Sequence, residues 1–330
     1  MQSPTLSDLA LDIVIVTWNS GGTIGPCLTS LEKHRPPSSR VIIVDNASRD
    51  STLEVLHSHG GCISTLIPNG SNRGFAAACN QGAKAGQSSA ILFLNPDCEV
   101  RADALASMIS VLQSDSGIAA VGAKLVNRTG VPQQGFAVRS LPGPIDLCFE
   151  ALLVNQVFPR NPRNRHYRLL DFPYEENAEI EQPAGACLMI RRSVFEGMGG
   201  FDERFHPAWF EDVDLCRRLR DQGARIIHCA AATIVHAGAS SVKSMPPGRA
   251  SEHFFLNMLR YSRKHFGWGW SAILRCALAL GMIMRMVGTL VSLKGWPHTG
   301  QSGESDYPTR GALERAYWNV MRGVLGQWRP

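Results

Sequence analysis

The chain has 330 residues, of which 44% are hydrophobic and 18% charged. That is enough apolar material for one large domain or two smaller ones, and it excludes an intrinsically disordered chain. A net charge of +5, with no basic and aromatic reader motif, argues against nucleic acid as a partner. Nine scattered cysteines without a C-x-x-C pair read as reduced thiols in a cytoplasmic protein. On that reading the N-x-S/T triplets at Asn46, Asn69 and Asn127 are chance matches.

No charged segment followed by an apolar stretch opens the chain, so no signal peptide is expected. Leu11 to Thr17 is a short, β-branched run that reads as a buried strand. Gly21-Gly22 breaks it, and Thr23 to Lys33 places Ile24, Cys27, Leu28 and Leu31 at helical spacing. Arg40 to Val44 is a second buried strand ending at Asp45. Ser51 to His57 follows as a helix with Asp50 as its N-cap, and Ile63 to Ile67 is a weaker strand. Gly74 to Ala85 predicts a helix of small residues after a glycine turn. Ala90 to Leu94 is a buried strand stopped by Asn95-Pro96-Asp97. Arg101 to Leu112 is amphipathic, and Ile118 to Val121 resumes strand character.

Periodicity is lost from Leu141 to Glu181, which predicts a long loop or insert. Gly185 to Arg191 is a strand, and Asp212 to Asp221 a helix with Gly223 at its C-cap position. Arg225 to Cys229 and Thr233 to His236 read as two more short strands. No internal repeat is present. Alternating strands and helices predict an open α/β sheet with right-handed crossovers, whose ligands sit beyond the carboxyl ends of its strands. Three polar clusters fall at such ends: Thr17-Trp18-Asn19, Asp45-Asn46 and Asn95-Pro96-Asp97.

There is no G-x-G-x-x-G after the first strand, no G-x-x-x-x-G-K-[ST], no H-E-x-x-H and no G-x-S-x-G. These absences argue against a common dehydrogenase, a P-loop NTPase, a zincin and an α/β-hydrolase. Asp97, just past a buried strand, is a natural oxygen ligand for a hard divalent cation on a nucleotide diphosphate. Asn95 is able to add a carbonyl oxygen or a water-mediated contact. The same tripeptide also suits a type I turn, and both readings hold together. Asp45 fits either a contact to a base N–H or a solvated strand-end cap, and Thr17 and Asn19 share that ambiguity. Asn72-Arg73-Gly74 opens a helix where backbone N–H groups favour an anion, although small residues there also serve tight packing.

Glu211, Asp212 and Asp214 lie at the start of the late helix. A carboxylate fixed there is suited to act as a general base. Asp214 is better read as pairing with Arg217 or Arg218. Glu211 and Asp212 follow aromatic residues rather than a wet face. His236 is either a structural histidine or a metal ligand.

Taken in order, IVIVTWNS, VDNASRDST, NRGFAAACNQG, LFLNPD, GACLMIRR, GGFDERF, FEDVDLCRRLRDQG and IVHAGASS resemble the family 2 glycosyltransferases of GT-A fold, in their rhamnosyltransferase-like branch. The resemblance spans residues 11 to 240 and implies an α/β fold, a mixed open sheet flanked by helices with a Rossmann-like nucleotide-binding half. It implies nucleotide-sugar binding at Thr17, Asn19, Asp45, Asn46, Asn72, Gly74 and Asn95. Asp97 and His236 would hold Mg²⁺ or Mn²⁺, Asp212 would be the catalytic base, and Glu211 its partner. The sequence departs from the usual D-x-D by carrying Asn95 in place of one acid.

The implied reaction is inverting transfer of a hexose from dTDP-rhamnose or a UDP-sugar to a glycan or lipid-linked glycan acceptor. Two other readings stand beside it: a sugar-nucleotide nucleotidyltransferase, and a non-catalytic carbohydrate- or nucleotide-binding module. The expected organisation is a catalytic domain over 1–250 and a helical, basic and apolar region over 251–330. From Arg249 to Lys294 seven basic residues face Glu252 alone, and Ile273 to Leu293 is strongly apolar but holds Arg275 and Arg285. An arginine at mid-bilayer costs about 2.5–3.5 kcal/mol on insertion scales, so this segment reads as a surface-lying or protein-packed helix. Peripheral contact with the inner face of the cell membrane is the corresponding expectation.

Overall fold

The computed structural model describes residues 10–238, 245, 248–290 and 310–326. Ala239, Ser240 and Ser241 of the last motif, and the end of the apolar segment after residue 290, lie outside the described residues. The strands are Leu11–Thr17 (β1), Ser39–Asp45 (β2), Thr65–Pro68 (β3), Ala90–Leu94 (β4), Cys98–Val100 (β5) and Ile118–Val126 (β6). They continue with Val138–Arg139 (β7), Ala178–Glu179 (β8), Gln182–Pro183 (β9), Cys187–Arg191 (β10) and Arg225–His236 (β11). The main sheet runs β3-β2-β1-β4-β10-β6-β11-β5, with β8 added on β11, and β7 pairs with β9.

β3, β2, β1 and β4 are parallel, whereas β10 is antiparallel to both of its neighbours, β4 and β6. The sheet is therefore mixed and open, as expected. β1 and β4 are buried at every residue, which is why they read as unbroken apolar runs. β3 lies at the edge and is only partly buried, which explains its weaker signal. Helices Gly21–His34, Thr52–Ser58 and Phe75–Ala85 supply the crossovers between the parallel strands.

Two expectations need correction. Residues 141 to 181 are not an irregular loop. They hold helices Pro144–Ala151, Val154–Val157 and Pro162–Arg168 as well as β8. Helices of 8, 4 and 7 residues are too short for a 3.6-residue period to register in the sequence. The two expected strands near the end of the sheet are one strand, β11, with a register break between Cys229 and Thr233. The small residues Ala230, Ala231 and Ala232 hide the continuity.

The described residues divide into two compact units, one over 10–141, 168–207 and 211–238, the other over 142–167, 208–210, 245, 248–290 and 310–326. In the first, the sheet edge opposite the strands' carboxyl ends is anchored by Asp12, which is fully buried. Its carboxylate accepts from the Ser88 N–H and hydroxyl, both at 2.8 Å, and from Arg192 Nη2 at 2.7 Å. Replacing Asp12 by Ala removes the buried counter-charge of Arg192 and leaves it only the exposed Glu196, 3.1 Å away, and the expected loss of stability is about 3–5 kcal/mol. Urea denaturation reads this directly, and a loss below about 1 kcal/mol would contradict it.

In the second unit, Arg249–Leu290 is a pair of helices broken at Gly267, where φ is 78°. Arg285 is almost wholly buried there. It donates to the carbonyls of Ala151 at 2.7 Å, Gly281 at 3.1 Å and Glu150 at 3.2 Å, and stacks over the Phe255 ring. The guanidinium thus satisfies the last carbonyls of helix Pro144–Ala151, the groups a helix end leaves open.

Candidate active site

Register brings the first polar clusters together. Thr17 and Asp45 end β1 and β2 as direct partners in the parallel ladder. The Thr17 hydroxyl donates to Asp45 Oδ1 at 2.8 Å, and the Ser48 N–H to Asp45 Oδ2 at 3.0 Å. Asn19 has φ 51° and accepts the Arg49 N–H at 2.8 Å, so the loops after β1 and β2 are tied to each other. Asn46 donates to the Gly74 carbonyl at 3.2 Å, and Asn72 accepts the Gly74 N–H at 2.8 Å. Gly74 has φ 85°, and a Cβ there would stand 2.7 Å from His206 Cδ2, so both the backbone and the space require glycine. Thr17, Asn19, Asp45, Asn46, Asn72 and Gly74 therefore form one hydrogen-bonded cluster at the carboxyl edge of the parallel strands.

The Asn95-Pro96-Asp97 segment is a turn closed by the Cys98 N–H donating to the Asn95 carbonyl at 3.2 Å. It turns the chain from β4 into β5, and β5 pairs with the end of β11 so that Cys98 stands opposite His236. Asp97 Oδ1 then lies 3.5 Å from His236 Nε2, with both side chains buried. The turn and the juxtaposition are one device. Pairing of two strands more than a hundred positions apart makes the pair.

The state of His236 is set by neighbours that sequence reasoning missed. Gln133 Nε2 donates to the His236 carbonyl at 2.9 Å, which turns its Oε1 toward ring Nδ1, also at 2.9 Å. Nδ1 is therefore the donor, and Nε2 presents a lone pair. Phe136 stacks flat on the ring at 5.2 Å. Burial holds the imidazole below its ordinary pKa, against the opposing pull of Asp97, and keeps it neutral. A neutral nitrogen lone pair facing a carboxylate is the donor pair a divalent cation takes. Cys98 lies within the same cluster of ligand atoms, all within 4.8 Å of one another. Burial raises its thiol well above the ordinary range, and Sγ donates to the Ala186 carbonyl at 3.4 Å. Cys98 thus stands beside the carboxylate oxygen and the imidazole nitrogen as a third potential ligand atom. No motif flags Gln133 or Phe136, because both act through a residue a hundred positions away.

The acidic pair joins this site through Gly185-Ala186, the segment that leads into β10. The Asn95 N–H donates to the Ala186 carbonyl at 2.9 Å, and the adjacent Gly185 N–H donates to Asp212 Oδ2 at 3.0 Å. The second oxygen, Oδ1, accepts the Val213 N–H at 2.8 Å. A Cβ on Gly185 would stand 3.1 Å from the Asp212 carboxylate, so glycine allows the close approach. Burial raises the Asp212 pKa, while these two backbone donors and the Arg139 charge pull it down. Asp214 is fully buried and accepts from Arg218 Nε at 2.9 Å, whereas Arg217 turns to Asp221. Its expected structural pairing is thereby realised.

Glu211 is buried, and its Oε2 has no hydrogen-bond partner. Burial, and then the Asp212 charge, raise its pKa well above the ordinary carboxylate value of 4.5. Above that ordinary value the unfolded chain releases a proton that the folded chain keeps. Stability therefore falls as pH rises toward the folded pKa. Glu211→Gln is isosteric and neutral, so it is expected to reduce this decline above the ordinary carboxylate value of 4.5, read from denaturation midpoints. An unchanged slope would show Glu211 to be charged in the folded protein.

The mixed sheet flanked by helices, with a polar cluster at the carboxyl end of its parallel strands, is the fold of a GT-A glycosyltransferase. The chain belongs to glycosyl transferase family 2, whose family model matches residues 12–199. A relative from Mycobacterium tuberculosis, the N-acetylglucosaminyl-diphospho-decaprenol L-rhamnosyltransferase, is 28% identical over 290 residues, covering 83% of this chain and 91% of its own. The low-salt glycan biosynthesis hexosyltransferase Agl10 of Haloferax volcanii is 25% identical, over 72% of this chain and 69% of its own. The mannosyltransferase PcManGT of Pyrobaculum calidifontis, solved with GDP-Man and Mn²⁺, shares the fold with a TM-score of 0.53. That likeness covers 97% of this chain and 88% of the other at 14% identity.

Proposed function

We propose that this chain is an inverting, metal-dependent hexosyltransferase that moves L-rhamnose from dTDP-rhamnose, or a sugar from a UDP carrier, onto a lipid-linked or growing glycan. The catalytic unit of this proposal lies within residues 1–250, and the helical region follows. The observation that carries it is the close Asp97–His236 pair, whose Asn95–Asp97 turn is joined through Gly185-Ala186 to the Asp212 carboxylate. Support for the sugar and the acceptor comes from the mycobacterial relative, whose name specifies both.

In this reading Asp45, Asn46, Asn72 and Gly74 hold the nucleotide. Asn19 braces the loop beside them, and Thr17, fully buried and bound to Asp45, acts through that carboxylate. Asp97 and His236 are the protein ligands for Mg²⁺ or Mn²⁺, with Asn95 beside them. When bound there, the metal supplies Lewis-acid neutralisation of charge on the diphosphate. Asp212 takes the proton of the acceptor hydroxyl. Its raised pKa suits that work, because a base is most effective when its pKa approaches the working pH. Glu211, protonated, keeps a second negative charge away from Asp212.

The test is nucleotide release by the purified full chain, offered dTDP-rhamnose or UDP-sugars with Mn²⁺ or with chelator, with and without a membrane lipid extract. Metal-dependent release of dTDP or UDP is the expected result. With pyrophosphate added, formation of the nucleoside triphosphate and the sugar 1-phosphate in place of the nucleoside diphosphate would favour the nucleotidyltransferase. No release under any condition, with nucleotide still bound, would favour the non-catalytic module.

A further inference from the structure

The helix that follows Gly267 has an unusual outer face. Between Trp268 and Thr289 no exposed residue carries a charge. Ile273, Leu280, Ile283 and Val287 are each about half exposed, at 52, 52, 48 and 50%. Their spacing of i, i+7, i+10 and i+14 puts them on one side of a helix. Trp268, 72% exposed, and Trp270 stand at its N-terminal end. Immediately before them, Arg263 and Lys264 are exposed. The two arginines within the helix take the opposite side. Arg275 donates to the Val324 carbonyl at 3.1 Å, and Arg285 is buried against Glu150 and Ala151.

An apolar outer face, a tryptophan pair at its end and a basic pair beyond them match the layered chemistry of a bilayer surface. Acyl chains receive the aliphatic side chains, indoles prefer the headgroup boundary, and anionic headgroups attract the basic pair. The other side of the helix is packed on protein, and Arg285 is committed to carbonyls of its own unit. Lipid therefore reaches one face only, which favours lying on the membrane over spanning it.

We propose that the helix beginning at Trp268 is a monotopic docking surface for an anionic lipid bilayer. The occupant is lipid rather than a second copy of the chain because the basic pair flanks the apolar face and has a counterpart in anionic headgroups. The inference rests on the helical unit alone and is independent of the donor, the metal and the acceptor.

The test is flotation of the full chain with vesicles of phosphatidylcholine, with and without phosphatidylglycerol. Wild type is expected to float with anionic vesicles and to leave them on alkaline carbonate washing. Leu280→Glu with Ile283→Glu, at exposed sites that the fold does not need, is expected to weaken binding at least about tenfold. Arg263→Ala and Lys264→Ala are each expected to weaken it roughly fivefold, and only on anionic vesicles. Brominated lipids should quench Trp268 and Trp270, with the Phe variants as controls. Nucleotide release in the absence of lipid is expected to be unchanged in all variants, which separates failure here from failure of the proposed reaction. Absence of vesicle binding by wild type would overturn the proposal. Resistance to carbonate would overturn it in favour of a spanning helix. A wild-type dimer that the Glu variants convert to monomer, without vesicle binding, would overturn it in favour of a second copy.

Discussion

Asp212→Asn is expected to lower kcat about 10²–10⁴-fold, the usual range for removal of a general base. Asn has nearly the same volume, and its one carbonyl oxygen is able to keep either the Gly185 or the Val213 N–H bond that Asp212 accepts. One of the two backbone donors loses its partner, at a cost of about 1–3 kcal/mol in stability. Nucleotide binding, assigned in the proposal to the cluster around Asp45 and Gly74, is expected to persist. The pH profile distinguishes a base from a brace. With Asp212 as the proposed base, wild-type activity is expected to fall as pH drops through its raised pKa, because the protonated carboxyl would no longer take the acceptor's proton. That acid limb is expected to vanish from the residual activity of the variant. A variant with unchanged kcat, or one that loses nucleotide binding as well, would remove Asp212 from this role.

The second large effect is expected at the cation pair. Asp97→Asn removes the only carboxylate of the proposed ligand pair while keeping its shape, and the new amide is able to donate to His236 Nε2 at the 3.5 Å contact. Folding is therefore expected to survive. A metal supplies several kcal/mol of charge stabilisation in reactions of this type, so the expected loss in kcat is roughly 10²-fold or more. Mn²⁺ binding followed by electron paramagnetic resonance gives a readout independent of turnover. Gln133→Leu should produce a milder version, with about 10–100-fold weaker metal binding, because it frees the tautomer and orientation of His236 without touching a ligand. If Asp97→Asn and wild type bound Mn²⁺ equally, the assignment of this pair would fail. If Gln133→Leu behaved as wild type, the orientation of His236 would rest on the Phe136 stack alone.

The acidic segment illustrates how much of the site was visible in the residues and how much was not. Three acids open a helix in the sequence; arginines at i+3 and i+4 mark Asp214 for a structural pairing, but spacing does not rank Glu211 against Asp212. The structure separates them by environment. Asp214 is neutralised by Arg218, Glu211 is buried without a partner for one oxygen, and Asp212 is bound to Gly185 at the sheet edge. The same holds for the histidines. His228 and His236 both end or punctuate β11 and are both buried. His228 bonds the Tyr174 carbonyl and packs edge-on against Phe172 and Tyr174, so it is structural. His236 meets Asp97.

The sequence by itself determined the alternation of buried apolar strands with helices, and so the open α/β sheet and the edge at which ligands sit. Those features are local. A β-branched run between turn residues forms a strand wherever it is, and a parallel pair needs a crossover helix. The order of motifs also determined the family. Tertiary structure alone decided that β10 runs antiparallel between β4 and β6, and that β5 lies on the end of β11. These pairings join segments tens to more than a hundred residues apart, and no periodicity encodes them. They bring Asp97 to His236, Gln133 behind it, and Asp212 to Gly185. Burial then fixed the protonation of each group, because desolvation is a property of the packed surroundings and not of the residue.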